Sequence, residues 1–116
     1  RRRDTPIALV VIEADQLTPD ERTAFTLLSS RVDTALLPNP KQDEFAALCR
    51  QRGCAFDQAT VIATTQHGLP LLLEAAVALT LRGAGYENEA AADVVFKPRS
   101  SGGLAAAIEY ACRLVA

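Results

Sequence analysis

Short apolar runs alternate with amphipathic stretches along most of the chain, and this alternation limits the folds open to it. The apolar runs are rich in β-branched residues and alanine, as in strands that are covered on both faces. They lie at 7–14, 33–37, 59–64, 76–81 and 93–96. Strands joined by helical crossovers lie parallel, with helices on both faces of their sheet. The sequence therefore predicts a compact three-layer α/β sandwich with a mainly parallel, Rossmann-like sheet of about five strands.

The helix boundaries carry recognisable capping residues. Thr18, Pro19 and Glu21 have the identities and spacing of a capping box with proline at the first helical position. This predicts a helix from there to about Ser30. The other predicted helical segments are 41–52 with Gly53 as its C-terminal cap, 70–75, a turn within 83–92, and 100–116.

Length and charge restrict the class of protein. The 116 residues suffice for one hydrophobic core, and a net charge of −2 offers no basic surface for nucleic acid or anionic lipid. No apolar run approaches the roughly 20 residues that span a bilayer, and no signal peptide is visible. We expect a cytoplasmic protein without nucleic-acid or membrane partners, organised as a linker at 1–6 and a single domain at 7–116. The absence of methionine suggests a piece of a longer protein.

The three cysteines, Cys49, Cys54 and Cys112, are an odd number and lack the CxxC spacing of zinc or redox motifs. We expect them to be small buried hydrophobic residues in a reducing compartment, without a zinc site.

Polar residues follow two of the predicted strands, where parallel sheets bind their ligands. Glu13 and Asp15 come at the end of the first strand. The stretch "ATTQHGLP" (63–70) follows the third strand and contains two threonines and the only histidine, His67, but no acid.

On these residues the chain resembles the haloacid dehalogenase-like phosphatases. "VVIEADQLT" resembles their nucleophile motif DxDG(V/T), the stretch 41–96 resembles the segment from their lysine to their last strand, and "SSGGLAAAIEYA" resembles their glycine-containing ending. The similarity is greatest to the small-capped branch that contains the phosphatases of 3-deoxy-octulosonate 8-phosphate and nonulosonate 9-phosphates. The same fold occurs as a C-terminal domain of some acylneuraminate cytidylyltransferases.

The resemblance implies roles for particular residues. Glu13 stands at the nucleophile position, Asp15 at the general acid/base position, and Lys41 at the position of the phosphate-binding lysine. Glutamate is one methylene longer than the family's aspartate, and a displacement of about 1 Å can cost about 100-fold in rate. Gln16 replaces a glycine, which changes the conformations open to the loop.

Two family motifs are missing. Where the family has the metal loop GDDxxD, this chain has lost the acids, with Thr64, Thr65 and Gly68 among the replaced positions. Magnesium prefers carboxylate oxygen, so we expect no metal or other cofactor unless the chain is an active phosphatase. The family's Ser/Thr motif, for which Ser29 and Ser30 are the available candidates, is interpreted as deleted.

The favoured hypothesis is a degenerate phosphatase-like domain without phosphatase activity. It would act in oligomerisation, as a dimer or tetramer, or in regulating an attached catalytic domain such as a nucleotide-sugar synthetase. One alternative is a weak magnesium-dependent sugar-phosphate phosphatase that uses Glu13 and Asp15.

Two further alternatives remain open. "ADVVFKP" resembles the ending of a receiver signalling domain, with Lys97 after the last strand, but Asp57 precedes its strand and no middle strand ends on an aspartate. The chain could also bind an anion without turnover, through Lys41 and the helix start at 101–103.

Overall fold

A single sheet of parallel strands organises residues 6–115, which the computed structural model describes. Its strands are β1 (Leu9–Ile12), β2 (Asp33–Leu36), β3 (Ala59–Ala63), β4 (Val77–Leu81) and β5 (Val94–Phe96). Their order is β2-β1-β3-β4-β5, and every neighbouring pair is parallel. The predicted sheet is therefore confirmed, with strands slightly shorter than the apolar runs. Of the predicted linker at 1–6, residues 1–5 lie outside the described residues, as does residue 116.

Helices connect the strands at the predicted places. They are α1 (Pro19–Ser29), α2 (Gln42–Arg52), α3 (Leu69–Glu74), α4 (Tyr86–Ala91) and α5 (Gly103–Leu114). Short 3-10 turns occupy Phe56–Gln58, Gln66–Gly68 and Arg99–Ser101. Within residues 6–115, none of these helices combines the length and hydrophobicity of a bilayer-spanning segment.

Alternate residues of β1 enter two separate cores, as the pleat of a strand requires. Val10 and Ile12 belong to the core that contains buried residues of α1 and α5. Leu9 and Val11 belong to the core that contains buried residues of α2 and α3. Helices thus cover both faces of the sheet, which confirms the three-layer sandwich. Cys54 is only half-buried, so the expectation that every cysteine is buried was wrong at this position.

The predicted caps are present. The Glu21 amide donates to Thr18 Oγ1 at 3.3 Å, and the Thr18 amide donates to Glu21 Oε1 at 2.9 Å, which completes the capping box of α1. Gly53 ends α2 with a left-handed backbone (φ 70°, ψ 32°), a conformation that favours glycine.

The strand order creates a switch point between β1 and β3. From β1 the chain crosses to β2 on one side, and it then returns past β1 to β3 on the other. Loops that leave neighbouring strands in opposite directions open a crevice at their carboxyl ends. Residues 13–15 and 64–65 emerge at this crevice.

Candidate functional site

The buried carboxylate of Glu13 lies at the centre of the crevice. Its side chain reaches from the end of β1 to the loop after β3, and Glu13 is only 3% exposed. Glu13 Oε1 accepts hydrogen bonds from the backbone amides of Thr64 and Thr65, both at 2.8 Å. Glu13 Oε2 accepts a hydrogen bond from the Thr65 hydroxyl. Both carboxylate oxygens are therefore engaged by the loop.

The side chains of the same two loop residues also bind backbone groups. The Thr64 hydroxyl donates to the backbone carbonyl of Glu13 at 2.7 Å. Thr65 Oγ1 also accepts from the His67 amide at 3.2 Å, which caps the 3-10 turn. Threonine hydroxyls thus replace the acids that the resemblance places in this loop, and they bind a carboxylate instead of adding one.

Gly68 provides the space that Glu13 occupies. A Cβ atom at this position would lie 2.6 Å from Ala63 Cβ and 2.8 Å from Glu13 Oε1, closer than van der Waals contact allows. The sequence identified Gly68 only as a replaced position of the family's metal loop. The structure shows that the close approach of the Glu13 carboxylate requires a residue without a side chain at position 68.

A pocket of about 210 Å³ opens beside this carboxylate. Its lining comes from the loops after β1, β2, β3 and β5, and consists of Glu13, Ala14, Asp15, Pro38, Asn39, Thr64, Thr65 and Arg99. The structure therefore brings together the predicted residues Glu13, Asp15, Thr64 and Thr65. Asp15 is exposed, whereas Glu13 is buried.

Arg99 is a pocket residue that sequence reasoning missed. Its guanidinium donates to both carboxylate oxygens of Glu21, from Nε at 2.9 Å and from Nη2 at 2.8 Å, and also to the Gln16 carbonyl at 2.6 Å. It thereby ties the loop after β5 to the loop after β1 and to the start of α1. The capping box identifies Glu21 as a helix-capping residue in the sequence. No local sequence pattern predicts that Glu21 pairs with a residue 78 positions away.

The pair between Arg99 and Glu21 shifts the protonation of both groups. The Arg99 guanidinium lowers the pKa of the Glu21 carboxyl below its ordinary value. Burial opposes this shift, and hydrogen bonding from Thr18 adds to it. The same pairing raises the pKa of Arg99. Both groups are therefore charged at neutral pH, and Glu21 is stabilised as a carboxylate although it is only 3% exposed.

Asn39 is a second pocket residue that the sequence did not predict. The strand between Glu13 and Lys41 is β2, which pairs with β1, and its carboxyl end leads to Pro38 and Asn39 in the pocket lining. Asn39 has a left-handed backbone with φ 46°, which asparagine tolerates better than most residues. Ser29, by contrast, is the last residue of α1, and its hydroxyl shares a hydrogen bond with Thr34 at 2.9 Å.

The remaining predicted polar residues lie elsewhere. Lys41 is exposed at the start of α2, where its amide donates to Glu44 Oε1 at 3.2 Å, and it is not part of the pocket lining described above. His67 is exposed. At the start of α5, the amides of Gly102 and Gly103 donate to the carbonyls of Arg99 and Pro98. These two amides are therefore already used in local turns.

Buried Asn88 holds the threonine loop from the side of α4. Its Nδ2 donates to the Thr65 carbonyl at 2.8 Å. Its Oδ1 has no hydrogen-bond partner among the described residues, although Asn88 is fully buried. A buried amide with one unpaired oxygen costs free energy. The hydrogen bond that Asn88 does make holds the Thr65 carbonyl, and with it the loop, against α4.

These residues do not fit the magnesium site that the resemblance implies. Within residues 6–115, no three His, Cys, Asp or Glu side chains are grouped so that they could hold a metal ion. Of the two acids in the pocket, Glu13 already accepts three hydrogen bonds, which leaves Asp15. Magnesium in proteins needs near-octahedral oxygen coordination, so we assign no step to a metal here.

The position of Glu13 predicts a structural effect of its removal. Glu13→Ala removes a buried carboxylate and leaves the amides of Thr64 and Thr65 without their acceptor, and we expect a loss of about 2–4 kcal/mol in the free energy of unfolding. Asp15→Ala is the matched control and should cost less than about 0.5 kcal/mol, because Asp15 is exposed. Urea denaturation of both variants measures the difference. Equal losses of unfolding free energy in the two variants would show that the hydrogen bonds of Glu13 add no stability beyond that of an exposed residue.

The pair between Arg99 and Glu21 predicts a pH dependence. Because the folded-state pKa of Glu21 is lowered, its contribution is complete above the ordinary glutamate pKa of about 4.3 and is lost as pH falls through the folded-state value. Arg99→Gln should therefore cost about 1 kcal/mol at pH 7, because solvent screens the 38% exposed arginine, and progressively less in acid. Denaturation at several pH values tests this, with exposed Arg22→Gln as control. A pH-independent loss in Arg99→Gln would contradict the assignment.

Comparisons with known proteins agree with the resemblance at the level of fold. No protein-family model matches the chain, and no curated protein matches it in sequence. Among solved structures, the chain is similar to the 3-deoxy-D-manno-octulosonate 8-phosphate phosphatase of Moraxella catarrhalis, which was solved with magnesium, phosphate and 3-deoxy-D-manno-octulosonate. The TM-score is 0.78 and the identity 11%, over 93% of this chain and 87% of that one.

Two further structures of the same kind of enzyme are similar. The cobalt-bound enzyme of Haemophilus influenzae has a TM-score of 0.68 and 13% identity, over 92% of this chain and 90% of that one. The enzyme of Yersinia pestis has a TM-score of 0.71 and 13% identity, over 94% of this chain and 80% of that one. The chain therefore has the fold of the haloacid dehalogenase-like phosphatases, in the form seen in 3-deoxy-D-manno-octulosonate 8-phosphate phosphatases.

Proposed function

We propose that this chain is a phosphatase-like domain that has lost phosphatase activity and serves as an oligomerisation or regulatory module. The observation that carries the proposal is the state of Glu13. A nucleophile must present a free carboxylate oxygen to the phosphorus, but both oxygens of Glu13 accept hydrogen bonds from Thr64 and Thr65. Freeing one oxygen would break contacts that hold β1 and the β3 loop together.

The loop after β3 supports the same proposal. Its sequence from Thr64 to Gly68 contains no acid, so it offers nothing to neutralise the charge of a transferring phosphoryl group through a metal. Its polar groups are used within the protein, toward Glu13 and Asn88. The loop thus has a structural use that does not depend on a substrate.

An exposed apolar surface supports a role in assembly. Leu73 of α3 is 65% exposed and Tyr86 of α4 is 80% exposed. Both line a groove of about 330 Å³ between the two helices, together with Leu69, Ala90 and other residues. Exposed large apolar side chains in one groove are typical of surfaces that contact another protein. The candidate partners are a second copy of the chain, in a dimer or tetramer, and an attached catalytic domain.

A weak sugar-phosphate phosphatase is a second candidate. The observation that favours it is that Glu13 and the exposed Asp15 line one pocket with Arg99, a cation that could attract a phosphate. In that case the Glu13 side chain would have to leave its threonine partners when substrate binds.

A receiver-like signalling domain is a third candidate. The strand order β2-β1-β3-β4-β5 is shared with receiver domains, and Lys97-Pro98 follows β5 directly. Against it, β3 is followed by Thr64 where a receiver has its phosphoacceptor aspartate. Asp57 lies in the 3-10 turn before β3, at the amino ends of the strands, away from the crevice.

An assay of phosphate release separates these candidates. Sugar phosphates, including 3-deoxy-octulosonate 8-phosphate, are incubated with the chain with and without Mg²⁺, beside Asp15→Asn. We expect the chain to release no more phosphate than this variant under any condition. Asp15→Asn is preferred to a Glu13 variant because Asp15 is exposed and its replacement should leave the fold intact.

The M. catarrhalis enzyme serves as the positive control for the assay. Magnesium-dependent release that Asp15→Asn abolishes would contradict the proposal and establish the weak phosphatase. Stable incorporation of a phosphoryl group from acetyl phosphate, without turnover of sugar phosphates, would instead favour the receiver-like domain.

A further inference from the structure

The C-terminal end of α2 brings two cysteines together. The Cys54 amide donates to the Cys49 carbonyl at 3.0 Å, and the Gly53 amide donates to the Arg50 carbonyl at 3.2 Å. With Gly53 left-handed, these are the two hydrogen bonds of a Schellman motif. In this motif the side chains at the positions of Cys49 and Cys54 are frequently in contact. In this structure the two thiols are close enough that Cys54 raises the pKa of Cys49. The motif that ends α2 therefore also pairs two thiols.

The two thiols differ in their access to solvent. Cys49 is 3% exposed, and its pKa is raised to about 12 by burial and by the neighbouring Cys54 thiol. Cys54 is half-buried and meets solvent. Cys54 is therefore the more accessible of the two thiols, and we expect a reagent to reach it first.

A cavity gives a small reagent access to the pair. It has a volume of about 310 Å³, and its lining includes both cysteines, Arg50 and Phe56. Phe56 stacks on Phe45 of α2 with ring centroids 4.8 Å apart, which holds the segment after Cys54 against the helix. The backbone around the two thiols is thus fixed while the cavity remains open.

We propose that Cys49 and Cys54 are a dithiol that a hydroperoxide converts into an intramolecular disulfide, so that the end of α2 is an oxidative modification site. This site lies in the core between the sheet and α2, away from the pocket beside Glu13. The proposal does not depend on the phosphatase-like function.

The chemistry balances in two steps with hydrogen peroxide as oxidant. The Cys54 sulfur attacks one peroxide oxygen, the O–O bond breaks, and the hydroxide that leaves takes the Cys54 proton as water. This oxidises Cys54 to the sulfenic acid. The Cys49 sulfur then attacks the Cys54 sulfur, the S–O bond breaks, and the hydroxide leaves with the Cys49 proton as a second water. Two thiols and one peroxide give one disulfide and two waters.

Cys112 provides a matched internal control. It is buried in α5, in the core on the other face of the sheet, and its pKa is raised by burial. It therefore belongs to neither the pair nor its cavity, and it should stay reduced under conditions that oxidise Cys54.

The test is a titration of the reduced chain with hydrogen peroxide, followed by alkylation of free thiols in denaturant and intact-mass measurement. We expect a loss of about 2 Da, for two hydrogen atoms, with a single thiol left to alkylate. Trypsin can cleave after Arg50 and Arg52, between the two cysteines. The disulfide should therefore appear as the peptides 42–50 and 53–82 joined together.

Variants make the result decisive. Cys112→Ser should form the same linked peptides, whereas Cys54→Ala should show neither the mass loss nor the link. Cys49→Ala should accumulate sulfenic or sulfinic acid at Cys54 without a link. Formation of Cys54-linked dimers of the wild-type chain, overoxidation of wild-type Cys54 without a disulfide, or an unchanged mass loss in Cys54→Ala would each overturn the proposal.

Discussion

The hydrogen bonds between Glu13 and the loop after β3 determine the character of the crevice. They connect the carboxyl ends of the two central strands, β1 and β3, where a sheet of this topology binds its ligands. The carboxylate is buried, and a buried charge is tolerated only when its oxygens are well satisfied. Gly68 leaves room for it, and Asn88 holds the loop from the other side. These neighbours therefore depend on one another through a single carboxylate.

A chain can keep the fold of an enzyme family while the residues at its site change. The chain shares its fold with magnesium-bound and cobalt-bound phosphatases, yet threonines stand in the loop where the resemblance places acids. Threonine hydroxyls can satisfy a buried carboxylate but are weak ligands for magnesium. The residues that keep the loop in place are thus poor at holding a metal, which is why we favour a structural role for this domain. Arg99 has a similar use, because it binds Glu21 and the Gln16 carbonyl around the same pocket.

The fold was largely predictable from the sequence because its signals are local. Apolar runs located all five strands, and the capping box at Thr18 and the glycine at Gly53 located helix ends to within a residue or two. The site was predictable only in part. That Glu13 would turn its carboxylate toward Thr65, and that Arg99 would pair with Glu21, depends on tertiary approach between segments 52 and 78 positions apart. Asn39 was missed because the sequence does not specify the strand order, and only the fold places the end of β2 beside that of β1.

Hydrogen exchange at the amides of Thr64 and Thr65 tests the central claim most directly, because these amides donate to Glu13 Oε1. Exchange would be measured by NMR in the wild-type chain and in Glu13→Ala, relative to the amides of β4. The account predicts that both loop amides are protected in the wild type and lose this protection in the variant, while β4 retains its own. Rapid exchange of both loop amides in the wild type, or protection that survives the substitution, would contradict the structural role of Glu13.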